Sequence, residues 1–374
     1  MRKVYAREHN PDYTLLIIVF ILITFGLFLI NSASMVLSEN KFGSTYYYVW
    51  HQIIYGLLPG IMGLIIFSKL NYNFLRKVAP YLFVASLFLM FLVFLPKIGY
   101  SFGGAHRWIK IGSFTFQPSE FLKITAIIYF AAWLESTGKN KIQKFKDGFL
   151  PFMVLVGITG SFLVFQPDIG TLGVICFGLL FMFIASGGPK KYILLIIVIG
   201  IVSIFTIALI RPYSKNRLEV FLNPEADILN SGYQINQSLI GIGAGGVYGL
   251  GFGYSRQKYN YLPEPVGDSV FSIAAEELGF IGSVLIIFLY ILFIWRVLKI
   301  ANGAPDDFSR YVAVGIASFW GIQSVINISA TSGAIPLTGI PLPFISYGGT
   351  SLIALLVCIG IALNISKMTK NARI

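Results

Sequence analysis

Apolar residues in this chain come in runs of about twenty, separated by short polar segments, and the runs show no strict alternation. At 1.5 Å per residue, a helix of that length crosses a hydrocarbon core about 30 Å thick. Backbone inside lipid must satisfy its own hydrogen bonds, and without barrel-like alternation the helix is the remaining solution. The pattern predicts spans near 13–34, 46–67, 75–96, 119–136, 148–166, 170–187, 190–211, 268–296, 309–331 and 345–366. The expected fold class is therefore an all-α polytopic membrane protein of about ten transmembrane helices. It forms one membrane domain over 1–374, with no internal repeat and no soluble domain.

Polar segments alternate in charge. Those around Lys69, Arg76, Lys139–Lys146, Lys190, Arg296–Lys299 and Lys367 hold about twice as many Lys and Arg as the segments between them, which predicts both termini in the cytoplasm. The basic start, Arg2, Lys3 and Arg7, precedes an apolar run too long for a signal peptide and reads as an uncleaved first helix. Three of the outside segments stand out: Pro96 to Ser119, the turn Gln166-Pro167-Asp168, and the long stretch 212–267. The last is too rich in Gly, Tyr and Leu for simple disorder, and is expected to fold back on the membrane surface with re-entrant or interfacial helices.

Composition sharpens this picture. Of 374 residues, 56% are hydrophobic and only 12% charged, against about a quarter charged in soluble domains. The net charge of +12 would fit a nucleic-acid binder, but the basic residues sit in short loops as topology signals, so no nucleic acid is expected. Cys176 and Cys358 lie in apolar runs as small buried hydrophobes. His9, His51 and His106 are scattered, without metal-ligand spacing.

Candidate chemistry rests on polar residues beside the spans, where charge is costly and needs a partner or a cavity. Glu120 and Lys123 share a helix face, as a structural ion pair or as part of a site. Asp168 is placed to cap the following helix or to face a site. Glu276 and Glu277 lie roughly two turns into the eighth span, so at least one must face the interior or a polar cleft. Asp268 closes the long loop and opens that span. Position alone favours an N-cap, yet a carboxylate at a membrane surface can also act as a general base toward a sugar hydroxyl. Arg211, Lys215 and Arg217 can contact lipid headgroups or grip a diphosphate through guanidinium forks. The run Gly241-Ile242-Gly243-Ala244-Gly245-Gly246 matches G-x-G-x-x-G without the strand and helix of a dinucleotide site, and is read as glycine serving close backbone approach or positive φ.

Six ordered segments carry a resemblance. They are Gly103-Gly104-Ala105-His106-Arg107-Trp108-Ile109 with Gln117-Pro118-Ser119-Glu120; Gln166-Pro167-Asp168-Ile169-Gly170-Thr171; Gly232-Tyr233-Gln234 with Gln237-Ser238; Leu262-Pro263-Glu264-Pro265 before Asp268; Glu276-Glu277-Leu278-Gly279; and Pro336 to Gly349, including Ser346. In this order the chain resembles the FtsW/RodA/SpoVE (SEDS) family over essentially its whole length, with Ser255-Arg256-Gln257-Lys258 closer to the FtsW and SpoVE branch.

The resemblance implies a peptidoglycan glycosyltransferase that polymerises lipid II on the outer face of the bacterial cytoplasmic membrane, beside a class B penicillin-binding protein. Its catalytic carboxylate falls on Asp268, although family members usually read Thr-Asp-Phe-Ile-Phe where this chain has Gly267-Asp268-Ser269-Val270-Phe271. Expected substrate-binding residues are Arg107, Glu120, Lys123, Asp168, Arg211, Arg217, Gln234, Gln237, Ser238, Glu264 and Ser346. No metal ligands are assigned; a divalent cation, Mg or Mn, is left open as counter-charge for the diphosphate. Two rivals are a lipid II flippase and a non-catalytic scaffold for the transpeptidase. The large outer loop ending in Asp268 and the lack of repeats tell against the first.

Overall fold

The computed structural model describes residues 9–96, 98–102, 105–111, 114–210, 212–223 and 231–369. Helix α1 spans Tyr13–Phe42, and α2 (Tyr47–Gln52) runs through a π-helical turn into α3 (Leu58–Lys69). Then come α4 (Tyr72–Leu92), strands β1 (Gly99–Phe102), β2 (Ala105–Ile111) and β3 (Phe114–Phe116), and α5 (Pro118–Ile142). A second π turn leads into α6 (Leu150–Phe165), followed by α7 (Ile169–Ala185) and α8 (Lys190–Ile210). Two helices sit inside the long loop, α9 (Pro212–Leu222) and α10 (Ser231–Ala244). The chain ends with α11 (Val270–Gly303), α12 (Asp307–Thr331) and α13 (Gly349–Ser366).

The chain is a polytopic all-α membrane protein. Among the described residues, eight helical segments are long and apolar enough to cross a membrane. The expected spans at 119–136 and 170–187 fall on α5, which carries Glu120, Lys123, Glu135, Lys139 and Lys141, and on the shorter α7. The last expected span starts late: residues 332–348 are irregular and the helix begins at Gly349.

The core gathers around α12 and α13, whose most apolar stretches are 61% and 78% buried, against 6% for α8. Helix α13 packs along α3 and the π turn before it, where Gly56 of the turn and Gly60 of α3 form a G-x-x-x-G notch. A Cβ on Gly60 would come within 2.5 Å of Leu356, and one on Gly56 within 3.1 Å of the Gly349 backbone. Lipid tails give apolar helices no hydrophobic reason to associate, so close packing at small residues does this work. A similar notch at Gly26 in α1 receives the backbone of Phe344 and Ile345, whose atoms would lie 2.5 and 2.8 Å from an added Cβ.

The two ends of the bundle differ. At one end Asp12 accepts from Arg296 Nε at 2.7 and 2.9 Å, and His9 N donates to Lys367 O at 3.0 Å, tying the start of α1 to the far ends of α11 and α13. The other end carries Asp268, the long loop and a small sheet that the apolar pattern did not reveal. Strands β1, β2 and β3 are antiparallel neighbours, pairing Tyr100 with Trp108 and Lys110 with Thr115.

Helix α11 is broken one-third of the way along. Gly279 has φ +68°, which interrupts the i→i−4 ladder and frees backbone groups at membrane depth. The glycine-rich segment after α10 fills the gap. Leu250 and Gly251 donate to the carbonyls of Glu276 and Glu277 at 3.0 Å, while Phe280 and Ile281 donate to Gly246 and Val247 at 2.9 and 3.2 Å. Gly249, also at positive φ, lies so close that a Cβ would come within 2.2 Å of the Glu277 carbonyl. The expectation of glycine for close approach and positive φ describes this segment.

Candidate functional site

Asp268 lies just before α11, and the N-cap position belongs to Ser269, which makes no side-chain cap bond. The capping role that position alone favoured for Asp268 is therefore corrected. The helix starts two residues later, leaving the carboxylate for other partners. Gln234 of α10 donates from Nε2 to Asp268 Oδ1 at 3.3 Å and to Ser269 Oγ at 3.0 Å. Arg217 of α9 is also near. A Cβ on Gly339 would sit 3.3 Å from Arg217 Nη2 and 3.7 Å from Asp268 Oδ2, so guanidinium and carboxylate flank the same glycine. Arg217 Nη1 also donates to Leu337 O at 2.7 Å, which fixes its approach.

Packing and charge compete at this carboxylate. Burial raises the Asp268 carboxyl above its ordinary range; Arg217, and then the bonds from Gln234 and Ser269, pull it back without cancelling the rise. Glu264 is raised as well, first by the protein packed around its carboxyl and then by the charge of Asp268. The result is a half-buried carboxyl held above its ordinary range, beside a cation suited to phosphate oxygens.

The loop bearing this acid is held from below. Ser346 Oγ donates to Gly267 O at 2.6 Å and accepts from Leu342 N at 2.8 Å, and Tyr347 N donates to Val266 O at 2.8 Å. Asn327 of α12 donates to the carbonyls of Asp268 and Ile340, both at 2.8 Å. Neither Asn327 nor Gly339 was singled out from the sequence. Asn327 is one of several buried polar residues of α12, with Gln323, Ser324 and Thr331, so nothing in the sequence set it apart from them.

The remaining expected residues divide plainly. Arg217, Gln234 and Glu264 gather around Asp268, and Ser346 acts through Gly267. Arg211 lies outside the described residues. Asp168 is the N-cap of α7, accepting from Thr171 N at 3.3 Å, and Arg107 of β2 lies 3.9 Å from it while donating to the carbonyls of Gln166 and Pro167. The α7 start nonetheless abuts the site, because Gly170 packs against Thr338 and Ile340 on either side of Gly339.

Glu120 and Lys123 form a buried ion pair at 2.8 Å. Lys123 Nζ also donates to Gln323 at 2.8 Å and lies 4.3 Å from the Trp320 ring centre, so its charge is committed within the core. This geometry supports the structural alternative for the pair. Ser238 is buried and Gln237 half-buried on α10, and among the described residues neither is hydrogen-bonded to Asp268.

Glu276 and Glu277 both point inward. Glu276 accepts from the backbone of Arg256 and Gln257 at 3.0 and 3.3 Å and from the Ser255 hydroxyl. Glu277 Oε1 accepts from Ser32 Oγ at 2.5 Å, Ser255 N at 3.3 Å and Lys258 Nζ at 3.5 Å. Their work is to anchor residues 255–258. Among the described residues, no group of three or more His, Cys, Asp or Glu converges as metal ligands.

Comparison with known proteins places this geometry in context. The family described as "Cell cycle protein" (FtsW, RodA, SpoVE) matches residues 13–371. Stage V sporulation protein E of Bacillus subtilis is 39% identical over 365 residues, covering 98% of this chain and 99% of that protein. A probable peptidoglycan glycosyltransferase FtsW of Coxiella burnetii is 39% identical over 380 residues, covering 99% and 100%. Among solved structures, a chain of a peptidoglycan synthase complex that coordinates polymerization and crosslinking superposes with a TM-score of 0.79 at 28% identity, covering 95% of this chain and 97% of that one. The rod shape determining protein RodA of Thermus thermophilus gives 0.71 at 26% identity, covering 96% and 98%.

Proposed function

The chain belongs to the FtsW/RodA/SpoVE family, and from that premise we propose that Asp268 is the general base with which it polymerises lipid II. The protein is a peptidoglycan glycosyltransferase and a multi-pass protein of the bacterial inner membrane. The observation that carries the catalytic assignment is the half-buried carboxylate of Asp268, bonded by the Gln234 amide and sharing Gly339 with the Arg217 guanidinium.

In the step, Asp268 takes the proton from the 4-hydroxyl of the acceptor GlcNAc. The freed oxygen lone pair forms the new bond to the anomeric carbon of the donor. The bond from that carbon to the diphosphate breaks, and its electron pair leaves with the diphosphate, so an α-linked donor gives a β-1,4 product. Arg217 stabilises the charge growing on the leaving group, since a donor fixed in advance needs no reorganisation at the moment of reaction. Asp268 then returns its proton to solvent. Among the described residues, no group of three or more His, Cys, Asp or Glu surrounds Asp268 as ligands for a resident divalent cation.

The Asp268 end of the bundle is the extracytoplasmic end, with both termini inside. The basic segments at Lys69, Lys141 and Lys190 support this orientation. A class B penicillin-binding protein is the partner that would crosslink the product.

The test is polymerisation of fluorescent lipid II by purified protein, with and without that transpeptidase. Wild type should give glycan ladders, and Asp268→Asn should lose roughly 10²–10⁴-fold in rate, the usual contribution of a general base. An Asp268→Asn protein with normal turnover would refute the assignment. Lipid II flipping in liposomes without any polymer would favour a transporter.

A further inference from the structure

The end of the molecule that carries Asp268 also presents a surface of aromatic rings that the chemistry above leaves unused. Phe42, at the end of α1, stacks on Tyr47 with ring centres 3.7 Å apart and planes 13° from parallel. Tyr47 neighbours Tyr48 and His51, both at 5.8 Å, and His51 neighbours Tyr55 at 4.6 Å. Behind this row Tyr48 meets Tyr347 edge-on at 5.0 Å. Phe42, Tyr47 and Tyr55 remain 47%, 37% and 37% exposed.

This surface is fastened to the loop that ends in Asp268. The Tyr347 hydroxyl and His51 Nδ1 are hydrogen-bonded at 2.8 Å, while the Tyr347 backbone N–H holds Val266 O, two residues before Asp268. Tyr48 and Tyr347 pack on the cluster of Leu262 and Val266. Its rim is polar. Asn40 and Lys41 are exposed, and Glu264 is within electrostatic reach of Lys41 on one side and Asp268 on the other.

Exposed aromatics at a membrane boundary commonly serve as lipid anchors, and α2–α3 has such a row. Trp50, Ile54 and Leu58, spaced four apart, are 60%, 49% and 58% exposed and form an apolar stripe. The row Tyr47, His51, Tyr55 is turned about 60° from it round the helix. Unlike the stripe, its rings pack on one another, hydrogen-bond to the catalytic loop and border charged groups.

A polymerase must hold sugars beyond the reacting pair. Their pyranose rings offer apolar C–H faces that suit the negative face of an aromatic ring, and hydroxyls that suit a polar rim. We propose that Phe42, Tyr47 and Tyr55 form a subsite on which the glycan strand lies beside Asp268, with Asn40 and Lys41 bonding its hydroxyls. The proposal rests on the polymerase function above and deepens it.

Strand length tests it. In detergent, with fluorescent lipid II, Phe42→Ala and Tyr47→Ala should shorten the glycan about threefold or more, the change in residence expected from losing one ring contact. Initial lipid II consumption should change less than that, and Tyr47→Phe should restore wild-type length. Trp50→Ala, on the lipid-facing row, should keep wild-type length. Should either alanine variant unfold, Tyr47→Leu preserves apolar bulk without a ring face and decides the matter by the same readout. Unchanged length in the ring variants would overturn the subsite while leaving the polymerase intact. Equal shortening by Trp50→Ala would reassign the rings to lipid anchoring. Failure of wild type to make polymer would remove the underlying function and the subsite with it.

Discussion

Asp268 is half-buried next to a cation, and the two influences give its titration a testable sign. The base works ionised, so the rate should rise with pH through a limb lying above the ordinary aspartate range. Arg217 favours the charged form, so Arg217→Gln should move that limb to higher pH as well as slow turnover; initial polymerisation rates across pH measure both effects. A limb unmoved by Arg217→Gln would separate the guanidinium from the carboxylate. At the Glu120–Lys123 pair, Lys123→Met strands a buried carboxylate and should cost about 3–5 kcal/mol, whereas Lys123→Met with Glu120→Gln should recover most of it. Thermal unfolding in detergent reads the difference. The sequence made Asp268 legible through its place between a long loop and a span, together with the motifs around it. It could not reveal Asn327, whose two carbonyl partners lie 59 and 13 positions away, nor Gly339, which contributes by having no side chain.

The break in α11 joins two elements that the apolar pattern treated separately, a glycine-rich loop and a long span. Gly279→Ala would force a Cβ to within 2.3 Å of the Gly249 backbone at a positive φ, and should destabilise the protein by at least about 2 kcal/mol. Gly243→Ala, inside α10 with open space around it, should be near neutral in the same unfolding measurement. Transmembrane helices were readable because lipid imposes length and apolarity together. Strands of three to seven residues in β1–β3 have neither signal, and α9 and α10 are too short and too polar to register as spans. The break itself was hidden because Gly279 lies inside one continuous predicted span, 268–296, and hydropathy carries no information about φ.

Across the whole molecule, the two ends of the bundle predict opposite accessibility. With Cys176 and Cys358 replaced by Ala, a membrane-impermeant maleimide should label Lys110→Cys in intact cells, and Lys141→Cys only after permeabilisation. The reverse pattern would invert the orientation and place Asp268 on the wrong side for an extracytoplasmic polymerase. The notch at Gly26 adds a consequence in time. Its filler, Phe344–Ile345, emerges from the ribosome roughly 320 residues later, a wait of about 16–60 s at ordinary synthesis rates. Phe344 has φ +65°, a conformation that its neighbours must enforce, with Phe293 packed edge-on against its ring at 5.4 Å. The first helix to enter the bilayer thus keeps a vacant seat until nearly the last segment arrives, and a nascent chain truncated before Phe344 should present α1 to insertion chaperones with that seat still open.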